Sequence, residues 1–154
     1  YPNTILVMFF YNILDFRKIL GLIRLYKIDL VVIGPEEPLV RVLVDFLKKN
    51  KVKVFGPNKY AAKLEGSKAF MKKICEKNNI PTAKFKICST KKHVNNFLQT
   101  CKYPVVVKAD GLASGKGVTI CKTQKKVLDI SFEILNGKFK SSRKLILEEF
   151  LEGE

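Results

Sequence analysis

Residues 105–118 carry the pattern with the clearest chemical meaning in this sequence. Three consecutive valines precede Lys108 and predict a buried strand, so the lysine leaves the end of a rigid element. Glycine tolerates sharp bends and lets backbone N–H groups approach an anion. The segment after the strand contains three glycines, Gly111, Gly115 and Gly117. It is therefore interpreted as a phosphate-binding loop, with an ordinary surface hairpin turn as the alternative.

The spacing of this loop differs from that of a Walker A loop. Only three residues separate Gly111 from Gly115-Lys116, and Gly117 stands where a Ser or Thr would hold magnesium. A P-loop ATPase is therefore disfavoured. The chain also lacks a Ser-His or Cys-His arrangement, so no catalytic side chain is predicted.

Composition narrows the class of protein. The 154 residues carry a formal net charge of +15, which suits nucleotides, polyphosphates or nucleic acid but equally a solvated lysine-rich surface. The four cysteines are widely spaced and predict reduced core thiols of a cytoplasmic protein, without a metal site. The apolar run at residues 5–11 is too short to span a membrane and predicts a buried strand. Because the chain begins at Tyr1 and stops after an acidic run, a fragment is expected.

The first sixty residues alternate between helical and strand patterns. Residues 15–27 have helical apolar spacing, and residues 28–33 form a short apolar run that ends at Gly34-Pro35. A helix that starts near Pro38 and a strand at residues 52–55 follow. This alternation predicts a parallel, doubly wound α/β sheet.

The remaining residues predict a second group of elements. Ser67 is a candidate cap for a helix that ends before Pro81. The periodicity then predicts, in order, a strand at 84–88, a helix at 94–101, strands at 105–108 and 118–121, a helix at 127–134 and a strand at 145–147.

Four ordered segments, residues 34–40, 64–68, 108–118 and 147–154, resemble the glycinamide ribonucleotide synthetase family of the ATP-grasp superfamily. The resemblance covers residues 15–154. It implies an α/β chain made of a partial doubly wound (pre-ATP-grasp) domain, residues 1–60, and the first part of an ATP-grasp module, residues 61–154. Residues 103–147 would be the small lid-like subdomain.

The resemblance also implies an ATP site. Two lysines match the family's phosphate contacts, the glycine loop matches its mobile cover, backbone groups of Glu149 and Leu151 match its adenine contacts, and Glu154 lies where an acid could reach the ribose. Surface lysines and a plain edge strand are the alternatives. The implied ATP-binding residues are Lys68, Lys108, Gly111, Ser114, Gly115, Lys116, Gly117, Glu149, Phe150, Leu151 and Glu154.

A substrate site is implied at the end of the strand predicted at residues 28–33, where open α/β sheets bind ligands. In the family this segment helps to hold phosphoribosylamine, and the matching residues are Gly34, Pro35, Glu36 and Leu39. The alternative is a proline-rich turn in which Glu36 only favours a helix N-terminus.

The family reaction joins glycine to 5-phosphoribosylamine with ATP and Mg²⁺ (or Mn²⁺), through an acyl phosphate. The family's metal ligands lie beyond Glu154, and its glycine-rich first phosphate loop is not found here, so the chain alone is expected to be inactive. Another ATP-grasp carboxylate–amine ligase, a basic nucleic-acid-binding module, and an inactive remnant are the alternatives, and within the family interpretation any nucleic-acid binding is expected to be non-specific.

Overall fold

The computed structural model describes residues 12–113, 115–139 and 142–153. The chain divides into two compact units, Tyr1–Ala61 and Ala62–Glu154. The strand predicted at residues 5–11 lies outside the described residues.

The first unit consists of short strands and helices that alternate as the sequence predicts. Helix α1 (Phe16–Leu25) is followed by β1 (Val31–Val32), α2 (Glu36–Val40), α3 (Leu43–Lys49) and β2 (Val54–Phe55). Strands β1 and β2 pair in parallel, and Val31 lies opposite Val54. Both strands are shorter than the predicted runs 28–33 and 52–55. Apolar residues of α1 and α3 form the core of this unit.

The prediction of a single helix from Pro38 onward is wrong, because this segment forms two helices, α2 and α3. Val42 adopts a left-handed backbone conformation with φ 66° and separates the two helices. Apolar spacing alone does not reveal this break, since Leu39, Val40, Leu43 and Val44 still fit one helical face. The helix α4 (Lys59–Gly66) was not predicted, although Asn58 gives a capping signal and its Oδ1 accepts from Ala61 N–H at 2.9 Å.

The second unit is built on a four-stranded antiparallel sheet. After α5 (Lys68–Lys77) come β3 (Phe85–Cys88), α6 (Lys91–Leu98), β4 (Val105–Ala109), β5 (Val118–Cys121), α7 (Gln124–Leu135) and β6 (Leu145–Glu149). The strand order is β3-β6-β4-β5. All of these strands and helices confirm the sequence pattern to within a few residues. Side chains that cap helices begin α5, α6 and α7 at Ser67, Thr90 and Thr123.

The two faces of this sheet differ in what covers them. Alternate residues of β4 and β6, together with Cys88 and Cys121, pack against α6 and α7 and form a fully buried core. Burial raises the pKa of the Cys88 thiol to about 11, so this thiol stays neutral at physiological pH. The other face carries Val106, Lys108, Val118 and Ile120, and the last two are about half exposed. The first face is therefore fully covered, whereas the second, called here the accessible face, is buried at Ile146 and Glu148 of β6 and open to solvent at Val118 and Ile120 of β5.

This difference predicts effects of different size for two matched valines. Val107→Ala should lower the free energy of unfolding by about 1.5–3 kcal/mol, because Val107 is fully buried in the core. Val118→Ala should change it by less than about 0.5 kcal/mol, because Val118 lies on the accessible face. Urea denaturation measures both values, and equal losses would contradict the assignment of the faces.

Candidate functional site

Lys108 and Glu148 meet on the accessible face of the sheet. Val106 lies opposite Glu148 and Lys108 opposite Ile146, so the two charged side chains are diagonal neighbours across β4 and β6. Lys108 Nζ lies 2.8 Å from Glu148 Oε2. The Glu148 side chain is 4% exposed, whereas that of Lys108 is 28% exposed. Lys108 thus remains partly accessible to solvent while it is bound to the buried carboxylate of Glu148.

Glu148 has a second cation and an unused acceptor. The ammonium group of Lys72, on α5, lies 3.2 Å from the same Oε2 atom. The other carboxylate oxygen, Oε1, is buried and has no hydrogen-bond partner among the described residues. A buried acceptor without a partner is costly, so a donor from a ligand would be favoured there.

A strip of apolar side chains adjoins Lys108. The register of β4 and β5 sets Val106 opposite Ile120 and Lys108 opposite Val118 on the same face. Ile120 is 53% exposed and Val118 is 48% exposed. We call Val106, Val118 and Ile120 the apolar strip. It provides a flat hydrophobic surface next to a cation.

Asp110 ties the start of α5 to the end of β4. Its carboxylate accepts hydrogen bonds from Ser67 Oγ at 3.0 Å and from Ala69 N–H at 3.1 Å, while Ser67 Oγ itself accepts from Phe70 N–H at 3.1 Å. A carboxylate at a helix N-terminus interacts favourably with the helix dipole. Asp110 therefore fixes the position from which Lys68, the first residue of α5, extends.

Lys68 reaches the glycine loop itself. Its Nζ donates a hydrogen bond to the Gly111 carbonyl oxygen at 3.0 Å. The Asp110 carboxylate and the Gly111 carbonyl thus connect the start of α5 to two consecutive residues at the beginning of the β4–β5 connection. Lys68 contacts the β4–β5 connection, while Lys108 lies on β4 close to the start of that connection and contacts Glu148 on β6.

The glycines of this connection have distinct roles. Gly111 and Gly115 have positive φ angles of 83° and 75°, which side chains disfavour. A Cβ atom on Gly117 would lie 2.6 Å from Ala113 Cβ, so this position has no room for a side chain. Gly115 and Lys116 are exposed. Ser114 lies outside the described residues.

The end of β6 carries the residues predicted to contact adenine. Glu149 N–H donates to the Lys84 carbonyl oxygen at 3.0 Å, and Glu149 Oε1 accepts from Lys84 N–H at 2.8 Å. The Glu149 N–H is therefore committed to the sheet. Phe150 and Leu151 follow the strand and are 36% and 63% exposed. Glu154 lies outside the described residues.

The predicted substrate residues lie in the first unit. Gly34 follows β1, Pro35 caps α2, and Glu36 is its exposed first residue. Leu39 is half-buried and packs against Gly56: a Cβ atom on Gly56 would lie 3.2 Å from Leu39 Cδ2. Leu39 thus has a packing role within this unit.

Sequence reasoning missed Asp110, Lys72, Glu148 and the apolar strip. Two signals could have found the charged ones. Glu148 directly follows the buried apolar run 145–147 and Asp110 follows the last residue of β4, while Lys72 interrupts the apolar face of α5 near Ala69. A charge at such a position needs a buried partner.

The described residues contain no group of three or more His, Cys, Asp or Glu side chains that could hold a metal ion. Within the same residues, no helix is both long and apolar enough to cross a bilayer.

Comparison with solved structures defines the class of fold. The chain superposes on the biotin carboxylase domain of 2-oxoglutarate carboxylase from Hydrogenobacter thermophilus, which was solved with MgADP. The TM-score is 0.77 and the sequence identity is 20%. The superposition covers 90% of this chain and 32% of that one. It also matches phosphoribosylamine–glycine ligase from Thermotoga maritima, with a TM-score of 0.67 and 33% identity over 80% of this chain and 30% of that one. The fold is that of an ATP-grasp protein with its preceding α/β domain.

Family comparison is more specific. Residues 7–65 match the phosphoribosylglycinamide synthetase N domain, and residues 66–154 match the ATP-grasp (A) domain of the same family. The chain belongs to the phosphoribosylglycinamide synthetase family. It is 44% identical, over 129 residues, to phosphoribosylamine–glycine ligase from Clostridium acetobutylicum. That alignment covers 82% of this chain and 31% of the relative. The chain thus spans less than a third of that protein's length.

The Asp110 contacts lead to a stability prediction. Asp110→Ala should lower the free energy of unfolding by about 1–3 kcal/mol, because Ser67 Oγ and the buried Ala69 N–H lose their acceptor. Asp129→Ala, an exposed position on α7, is the matched control and should cost less than about 0.5 kcal/mol. Chemical denaturation compares them, and equal effects would mean that Asp110 does not anchor α5.

Proposed function

We propose that this chain carries ATP contacts of a phosphoribosylamine–glycine ligase, which ligates glycine to 5-phosphoribosylamine in de novo purine biosynthesis. Because the chain spans less than a third of the Clostridium relative, the full reaction is assigned to the intact enzyme. The observation that carries the proposal is the pair of anchored ammonium groups at one glycine-rich connection, Lys108 on Glu148 and Lys68 on the Gly111 carbonyl.

The reaction needs charge neutralisation more than a protein nucleophile. A glycine carboxylate oxygen attacks the γ-phosphorus of ATP and ADP leaves, giving an acyl phosphate. The amine of phosphoribosylamine then attacks the acyl carbon, loses a proton and expels phosphate, leaving the amide of glycinamide ribonucleotide. In our proposal Lys68 and Lys108 offset phosphate charge and orient the nucleotide. Among the described residues no group of three His, Cys, Asp or Glu side chains fits Mg²⁺ or Mn²⁺, so the role assigned to this chain lies in its two lysines.

The base would lie against the apolar strip, near Lys108. One support is the exposure of Val118 and Ile120 on the accessible face. A second is the buried Oε1 atom of Glu148, an acceptor without a described partner, which suits the exocyclic amino group of adenine. Guanine has a carbonyl oxygen at the corresponding position and would leave two acceptors facing each other. The site should therefore prefer ATP to GTP.

The remaining contacts extend this nucleotide site. We assign the backbone N–H groups of residues 111–117, with Ser114 and Lys116 as side-chain donors, to the phosphates, and Glu154 to the ribose. Phe150, Leu151 and the Glu149 carbonyl are assigned to the adenine edge. We also propose residues 1–60 and 61–154 as the two domains and residues 103–147 as a lid-like subdomain.

The first unit would contribute to the phosphoribosylamine site. Gly34, Pro35 and Glu36 follow the carboxyl end of β1, where open α/β sheets bind ligands. Leu39 would support this turn through its packing on Gly56 rather than by touching substrate.

The buried free thiols of Cys88 and Cys121 favour a reducing compartment such as the cytoplasm. Any binding of nucleic acid is assigned to net charge alone, without sequence preference.

Nucleotide titration tests the proposal. ATP should raise the melting temperature more than GTP does, and Lys108→Met should weaken ATP binding about 10- to 100-fold, because an ammonium–phosphate contact contributes about 1.5–3 kcal/mol. Lys86→Met, an exposed lysine of β3, removes the same charge and should change affinity less than about threefold. Equal losses of ATP affinity in the two variants would mean that binding depends only on non-specific charge, which would contradict the proposed site.

A further inference from the structure

Lys72 is a buried cation that the proposed mechanism does not use. Its side chain is 3% exposed. The ammonium group contacts Thr82 Oγ1 at 2.6 Å, the Ala83 carbonyl oxygen at 3.5 Å and Glu148 Oε2 at 3.2 Å, and it lies 5.3 Å from the centroid of the Phe85 ring. Its three N–H donors thus have three acceptors within the protein. Lys72 therefore has no donor left for a ligand.

Glu148 Oε2 is shared by two lysines. Lys108 Nζ lies 2.8 Å from this oxygen and Lys72 Nζ lies 3.2 Å from it. Two ammonium groups and one carboxylate leave one net positive charge. Because Lys72 is the more buried of the two cations, that surplus charge is available at Lys108, which is 28% exposed.

We propose that Lys72 is a positioning residue that offsets the charge of Glu148. The Lys108 side chain can then move, so that its ammonium group leaves that carboxylate and pairs with a nucleotide phosphate. This inference rests on the proposed nucleotide site and deepens it. Without Lys72, Lys108 would be the only cation on a buried carboxylate. Its move to a phosphate would then leave that carboxylate uncompensated, which is strongly unfavourable.

The same arrangement holds Glu148 in place while Lys108 moves. Lys72 is fixed by Thr82 and Ala83, residues of the segment between α5 and β3. Glu148 therefore keeps one fixed partner whether or not Lys108 is bound to it. This separates the anchor, which stays in the protein, from the contact that a ligand can replace.

A purely structural role for Lys72 gives a different expectation. A buried ion pair is weak evidence for stability, and its removal as a pair is often nearly neutral. In a structural role, loss of Lys72 would lower the melting temperature but leave phosphate affinity unchanged in the folded protein. The proposal instead predicts a change in phosphate affinity that depends on Glu148.

Binding of inorganic tripolyphosphate to the full chain tests this, since the probe has phosphates but no base. Lys72→Met should weaken its binding about tenfold. Lys73→Met, the exposed neighbour on α5, removes an equal charge and should change binding less than about twofold. The double variant Lys72→Met/Glu148→Gln should recover affinity to within about threefold of the original chain, because Lys108 no longer has a carboxylate to neutralise.

Unchanged affinity in folded Lys72→Met, or no recovery in the folded double variant, would overturn the inference. If Lys72→Met does not fold, Glu148→Gln is compared with the double variant. The proposal expects equal tripolyphosphate affinity in those two, since Lys72 then has no carboxylate to offset. A difference of tenfold would show that Lys72 acts by another route.

A second readout separates this inference from the proposed function. Acetylation of Lys108 by acetic anhydride, followed by mass spectrometry, needs no ligand. The reaction should be slower in Lys72→Met, where Glu148 holds Lys108 alone, and should recover in the double variant. If the original chain fails to bind tripolyphosphate, the nucleotide site is wrong, and the acetylation rates still decide whether Lys72 offsets Glu148.

Discussion

The arrangement of the second unit depends on one buried carboxylate in its sheet. Glu148 follows three buried apolar residues of β6, and its side chain lies on the face opposite the main core. A carboxylate in that position requires cations, and it has them from two elements, Lys72 on α5 and Lys108 on β4. The same interaction that satisfies the buried charge thus orients the cation proposed to meet the phosphates.

The glycine-rich connection depends on this arrangement as well as on its own residues. Ser67, Lys68 and Asp110 link α5 to the first peptide of the connection, while the tight contact at Gly117 closes it against Ala113. Both lysines therefore extend from regular elements rather than from the loop. A site built in this way keeps its charges in place while the intervening glycines adapt to a ligand.

Most of the second unit could be predicted from the sequence, because its strands are short alternating or continuous apolar runs and its helices α5, α6 and α7 begin at capping residues. The break at Val42 could not, since neighbouring apolar positions still fit one helix and a left-handed conformation is rare for a β-branched residue. In the candidate site, Lys108 and Lys68 were proposed from the motif and the family resemblance. The partners Glu148, Lys72 and Asp110 were not, because strand register and the approach of α5 bring together residues about 40 to 80 positions apart in sequence.

A crystal structure of the chain with a non-hydrolysable ATP analogue tests the central claim most directly. We expect Lys108 Nζ to lie within about 2.7–3.2 Å of a phosphate oxygen while Lys72 remains bound to Glu148. The adenine ring should lie against Val106 and Ile120. A nucleotide bound instead at the basic cleft of the first unit, which is lined by Arg24 and Lys27, would contradict it. So would a phosphate position that leaves the Lys108–Glu148 pair unchanged.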